Sequence, residues 1–243
     1  MTSPQREFVD VAVSDVRPHV RRYLDDLVAF EGPSFVLPPG VSDPAQGSES
    51  AGEVAMPSSA ALERFHRKIC ECQACPLGKT RQCFVFGSGA ADAGIMFVGE
   101  APGANEDREG IPFVGRAGEL LTKIIENGMK TRREDVYIAN VIKCRPPQNR
   151  DPTPEEVATC RPFILEQINM VNPRVIVTLG RVAAQALLQT SRSITHMRGT
   201  WQEIEGRPVM PTFHPAYLLR NPAGKRDVWS DIQEVLRFLS EKG

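Results

Sequence analysis

The chain has 243 residues, 41% of them hydrophobic and 24% charged, which is length enough for one sizeable domain with a real core plus some extra chain. A formal net charge of -1 argues neither for nor against a nucleic-acid partner, and no run approaches the roughly 18 apolar residues of a membrane span. The opening MTSPQREFVD lacks the charged-then-apolar export pattern, so a cytoplasmic protein is expected, whose 6 cysteines stay reduced and serve as metal ligands or buried thiols before disulfides. Charge is unevenly spread. Residues 1–60 carry 4 Lys/Arg against 9 Asp/Glu, and residues 61–243 carry 25 against 21, so the C-terminal part is mildly basic, as a chain that meets phosphates locally would be.

Taken in order, the chain opens with Val16, Val20, Leu24, Leu27 and Val28 at helical spacing, with Ser14 as an N-cap and Pro18 in the first turn. Residues 1–30 read as a small helical appendage or as a docking helix for a partner protein. Residues 31–59 hold 15 Gly, Pro or Ser among 29 with no sustained periodicity, the pattern of a flexible linker. Residues 60–243 are globular in composition. A helix over Ala61–Ile69 runs into a cysteine-rich turn. Short apolar runs then alternate with helical patterns: strands over Ile95–Val98, Val136–Val141, Arg174–Leu179 and Pro208–Phe213, and helices over Arg116–Asn127, Thr153–Val171, Arg181–Gln189 and Arg226–Leu239. The alternation predicts an α/β fold of three layers, α/β/α, around a central four-stranded parallel sheet. In such sheets a ligand sits at the carboxyl ends of the strands.

Several suggestive residues fall at those ends. The first strand leaves through Gly99-Glu100-Ala101-Pro102-Gly103, a turn whose glycines and proline let the backbone approach a ligand, and Phe113 follows among small residues in Ile111–Gly115. Asn140, Lys143-Cys144-Arg145, Gly180 and His214-Pro215 stand after the later strands. Carboxylates and a flat ring at a strand end suit a planar polar molecule, although such a turn alone is equally a structural one. The cysteines are more specific. Cys72 and Cys75 form a C-x-x-C pair, Cys144 follows the second strand, and Cys160 comes after 15 intervening residues. Two thiolates at that spacing can bind one centre, and two from a distant loop complete four ligands. Spacing alone leaves an iron–sulfur cluster and zinc both open. Cys70 and Cys83 stand outside the pattern and read as small apolar residues.

Gly99-Glu-Ala-Pro-Gly103, Glu106-Asp107, Gly110-Ile-Pro-Phe-Val-Gly-Arg-Ala-Gly118, Asn140-Val-Ile-Lys-Cys-Arg-Pro-Pro147 and His214-Pro-Ala-Tyr-Leu-Leu-Arg220 together resemble the type 4 uracil-DNA glycosylases, which carry a 4Fe-4S cluster. The resemblance runs from about Cys72 to Leu239 and does not cover the first 60 residues. It implies a uracil-DNA glycosylase-like fold and a largely structural 4Fe-4S cluster on Cys72, Cys75, Cys144 and Cys160. It also implies a substrate of uracil-containing DNA, single- or double-stranded, and a monomeric enzyme of base-excision repair.

The chemistry assigns roles within that expectation. Gly99, Glu100, Ala101, Phe113, Asn140 and His214 are expected to bind the base: Phe113 as the platform for the flipped ring, Asn140 reading uracil N3–H and O4, and His214 over O2 as a neutral donor or as imidazolium. Glu100 is the first choice for orienting the attacking water or facing the sugar cation. Glu106 is the second, with crowding of the C5 edge against thymine as its other role. Leu218 is expected to wedge into the vacated stack, and Arg220, Lys225 and Arg226 to contact phosphates. Ala101 stands where better-known uracil glycosylases carry an aspartate, so catalysis is expected to lean on positioning and charge. A related branch attaches covalently to DNA through a histidine in the segment where this chain has Arg145–Arg150, and no histidine is present there. A glycosylase of broader deaminated-base range, and a DNA-binding module without turnover, are the alternatives.

Overall fold

The computed structural model describes residues 58–241. The expected N-terminal helix and all but the end of the expected linker lie outside the described residues. A six-stranded sheet runs in the order β1-β3-β2-β4-β6-β5, formed by β1 (Ser88–Gly89), β2 (Ile95–Gly99), β3 (Tyr137–Asn140), β4 (Val175–Leu179), β5 (Gln202–Ile204) and β6 (Arg207–Thr212). The inner four strands, β3-β2-β4-β6, pair in parallel as the alternating pattern predicts, and β1 and β5 add antiparallel edges. Those edges are 2 and 3 residues long, too short for any periodicity to announce them.

The helices are α1 (Ser58–Ile69), α2 (Ala104–Glu109), α3 (Arg116–Lys123) continuing into a π-turn over Ile124–Gly128, α4 (Pro154–Val171), α5 (Arg181–Leu188), α6 (Ile194–Met197), α7 (Pro215–Arg220) and α8 (Lys225–Glu241). Three of these, α2, α6 and α7, were not expected from sequence. Each has 4 to 6 residues, less than two turns of any apolar stripe.

Alternation along the strands splits the core in two. Met96, Val98, Tyr137, Ala139, Ile176 and Val209 face α1, α4 and α5, packing on Leu62, Ile69, Cys160, Ile164, Ile168, Ala183 and Leu187. Ile95, Phe97, Ile138, Val175, Val177 and Met210 face α3, α7 and α8, packing on Leu121, Ile125, Leu218, Val228, Ile232 and Val235. Every residue of β2, β3 and β4 is buried. A strand covered on both faces has only its ends to offer a ligand. Among the described residues no helix is long and apolar enough to cross a membrane.

Candidate active site

Register brings the four parallel strand ends together. Gly99 at the end of β2 pairs with Asn140 at the end of β3, and Leu179 of β4 pairs with Thr212 of β6, two residues before His214. A Cβ on Gly99 would stand 2.4 Å from Asn140 Oδ1 and 2.5 Å from the Phe113 ring, so only a bare Cα lets amide and ring meet there. Asn140 is 1% exposed, and its Oδ1 is buried with no hydrogen-bond partner among the described residues. Leaving such an acceptor unpaired costs about 1–3 kcal/mol, which a ligand N–H would recover. The backbone beneath it is fixed. The ammonium of Lys143, wholly buried, donates to Asn140 O at 2.8 Å, to Phe86 O at 3.1 Å and to Gln167 Oε1.

Phe113 sits in the left-handed region at φ 54° and is 6% exposed. Glu106 holds it there. Its Oε1 accepts from the amides of Val114 and Gly115, each at 3.0 Å, and its Oε2 from the Gly103 amide at 3.1 Å, so one carboxylate ties the start of α2 to the Phe113 turn. Strain of this kind persists only where surrounding structure over-determines it.

The His214 ring lies 5.5 Å from the Phe113 ring, tilted by 32°. His214 caps α7, its Nδ1 accepting from the Ala216 amide at 3.1 Å, which leaves the proton on Nε2. Burial, helped by the charge of Arg220 and opposed by Glu106, lowers its pKa from 6.5 to about 4, so the ring is neutral at pH 7. Gly180, at φ 92°, lets it approach: a Cβ there would be 3.0 Å from the His214 Cβ. Glu100 is half-buried. Burial and Asp151 lift its carboxyl from 4.5 to about 7 against the pull of Arg181, and no hydrogen bond to a described residue holds it. Asp151 and Arg181 pair with each other at 2.5 Å. The site thus offers an aromatic wall, an orphan acceptor, a neutral N–H donor and a carboxyl poised near neutrality, a set that suits a flat ring carrying both N–H and C=O groups.

A second constellation lies beside it. Cys144 senses Cys75 and Cys72 electrostatically, and Cys160 senses Cys144 and Cys75, so the four thiols selected by spacing share one neighbourhood. Arg81 Nη1 donates to Cys144 Sγ at 3.1 Å, the Lys143 amide to Cys160 Sγ at 3.4 Å and the Ala74 amide to Cys72 Sγ at 3.5 Å. Donors aimed at sulfur suit thiolates more than thiols. Burial pushes the Cys160 thiol up to about 12 and raises that of Cys144, against the pull of Lys143 on the first and of Arg81 on the second. Among the described residues no three His, Cys, Asp or Glu side chains close on a point that one ion could occupy.

Residues 86–233 match the model of the uracil DNA glycosylase superfamily. Over 189 residues the chain is 49% identical to a type-4 uracil-DNA glycosylase of Thermotoga maritima, covering 75% of this chain and 96% of that one. A type-4 uracil-DNA glycosylase of Saccharolobus solfataricus is 44% identical over 74% of this chain and 88% of its own, and a type-5 uracil-DNA glycosylase of Pyrobaculum aerophilum is 34% identical over 61% and 72%. The chain belongs to the type-4 uracil-DNA glycosylase family.

For a member of this family the geometry revises two of the roles expected from sequence. Leu218 cannot be a wedge, because it is 1% exposed and packs into the core between α7 and the sheet. Its neighbours Tyr217 and Leu219 are the exposed apolar residues of α7, at 37% and 46%. Glu106 is committed to three backbone amides, and its carboxylate is a clamp before it is anything else. Arg220 acts on His214 through its charge, and Lys225 is exposed at the start of α8. Ala101 is half-buried and packs against the core on the α4 side. Asp151 and Arg181, which set the environment of Glu100, were not singled out from sequence. Arg181 directly follows Gly180 at a strand end, the one signal that could have flagged it.

Proposed function

We propose that this chain hydrolyses the N-glycosidic bond of deoxyuridine in DNA, acting as a monomer in the cytoplasm. The observation that carries this is the orphan Asn140 Oδ1, buried at the carboxyl end of β3 beside Phe113 and Gly99. Extruding a base costs roughly a few kcal/mol, and stacking it on Phe113 returns about 1–3 kcal/mol. Asn140 Oδ1 accepts from uracil N3–H and its amide N–H donates to O4. Cytosine presents a lone pair at N3 and an amino group at C4, so it would leave both amide atoms unpaired. Because Asn140 and Lys143 are tied through the Asn140 carbonyl, the strand end that carries the amide is fixed before the base arrives.

As the bond from N1 to C1′ lengthens, negative charge gathers on the base and positive charge on the sugar. His214, neutral, donates from Nε2 to uracil O2. Glu100, as carboxylate, faces the sugar and orients the water whose oxygen bonds to C1′ while uracil leaves with the bonding electrons. Glu106 holds the Phe113 turn, with both oxygens engaged by backbone amides. Cys72, Cys75, Cys144 and Cys160 would hold a 4Fe-4S cluster, a reading supported by the relatives' type and by the shared neighbourhood of the four sulfurs. When bound it supplies structural cross-linking, joining the turn after α1, the loop after β3 and α4.

The test is single-turnover cleavage of a labelled oligonucleotide holding one uracil, beside thymine, hypoxanthine and cytosine controls and a His214→Ala variant. An alkali-labile break at uracil alone, slowed about 10²–10³-fold in the variant, is expected. Binding without cleavage by protein with a full cluster would overturn the reading.

A further inference from the structure

The outer face of α8 carries a feature that excision of the base does not use. Trp229 is 40% exposed, and among the described residues no ring or cation pairs with it. One edge of its indole lies against Gly128, where a Cβ would be 2.9 Å from the ring. Lys225 stands one helical turn before Trp229, about 6 Å along the axis and on the same face, with Arg226 beside it. Neither cation, nor Arg220, forms an ion pair with a described residue, whereas Arg198, Arg207 and Arg237 all do. The acidic residue of this turn, Asp227, has Arg198 within 3.8 Å. The strip is continuous with the active site: Gly224 abuts Tyr217 and Leu218 of α7, whose first residue follows His214.

The geometry points to Trp229, with Lys225 and Arg226, as a second DNA-binding station, where the indole stacks on an unpaired base flanking the target nucleotide and the cations take its phosphates. This rests on the glycosylase reading and extends it, making single-stranded DNA the substrate held most tightly. A face holding one large open ring among unpaired cations matches a nucleic-acid strand, whose bases stack without regard to sequence and whose charge recurs at each phosphate.

Tryptophan emission tests the station directly, because the chain has only 2 tryptophans and the other, Trp201, is packed on Phe238 with ring centroids 4.9 Å apart. Uracil-free single-stranded oligothymidine should quench the emission of the wild-type holoprotein, and the quench should vanish in Trp229→Phe while binding, followed by anisotropy, persists. Trp229→Ala should weaken that binding about 5- to 150-fold and leave the saturating single-turnover rate at uracil unchanged. Wild-type protein that binds the strand with no change in emission, or Trp229→Ala that binds it as tightly as wild type, would overturn the station. Excision by the same preparations separates the two readings: excision without quench removes the station alone, and quench without excision removes the glycosylase alone.

Discussion

His214 holds the Ala216 amide at Nδ1 and its proton at Nε2, with a pKa lowered to about 4 from 6.5. The folded state therefore binds fewer protons at this residue than the unfolded chain does between those values. The stability linked to it is full above pH 6.5 and lost as pH falls through 4, so His214→Ala should give up less stability than wild type over that window in urea titrations. Glu100 has the opposite sign. Its carboxyl is raised to about 7 from 4.5, so the stability tied to its proton is present below pH 4.5 and lost as pH rises through 7. Glu100→Gln should match wild type near pH 4 and exceed it by about 0.5–2 kcal/mol at pH 8. The wild-type single-turnover rate should climb through pH 7 as the carboxylate forms, and the variant should be flat and about 10²–10⁴-fold slower. Asn140→Ala should lower excision about 10²–10³-fold while leaving the thermal midpoint within a few degrees, because the acceptor it removes is unpaired in the free protein.

Short elements carry the geometry. The Glu106 carboxylate bridges the Gly103 amide at the start of α2 and the amides of Val114 and Gly115, and Phe113 keeps φ 54° on that support. Glu106→Gln turns one acceptor oxygen into a donor facing an amide and should cost about 1–3 kcal/mol in denaturant melts, with a matching fall in excision. A Glu106 that only touched substrate would leave stability unchanged. At α4, the capping box pairs Thr153 with Glu156, and Arg150 grips the same carboxylate at 2.7 and 2.8 Å, which fixes the loop between Cys144 and Cys160. The long helices and the four parallel strands were legible from periodicity, because each buries a repeating apolar face against the sheet. The short helix α7 is not legible in this way, and the His-Pro motif read without it puts the wedge at Leu218. Counting along the His-Pro motif gives a position in the chain, while the helical turn decides which of Tyr217, Leu218 and Leu219 points inward.

Across the whole molecule, the proposed cluster would join three segments on one face of the sheet, the face that also buries Cys144 and Cys160. Stripping the metal should therefore loosen that face first. Amides of 70–83 and 143–160 should gain deuterium fastest, while β2 and β4 stay protected, and the thermal midpoint should fall by about 10 °C or more, as several kcal/mol are lost from a domain of this size. The same experiment reads whether the site depends on this face. Asn140 shares its carbonyl with Lys143, next to Cys144, so uracil discrimination should weaken along with protection of 143–160.

Local sequence alone determined the alternating strands and helices, the four cysteines and the residues at the strand ends, since periodicity, thiolate spacing and turn chemistry are properties of a few neighbouring residues. Only the tertiary structure decided how each of those residues is placed and partnered. That Asn140 Oδ1 is unpaired, that His214 is neutral with a known tautomer, and that Glu106 is a clamp depend on burial and on partners far along the chain. So does the exchange of Leu218 for Tyr217 and Leu219 at the surface, because solvent access is set by the packed neighbours of a side chain and not by its place in a motif.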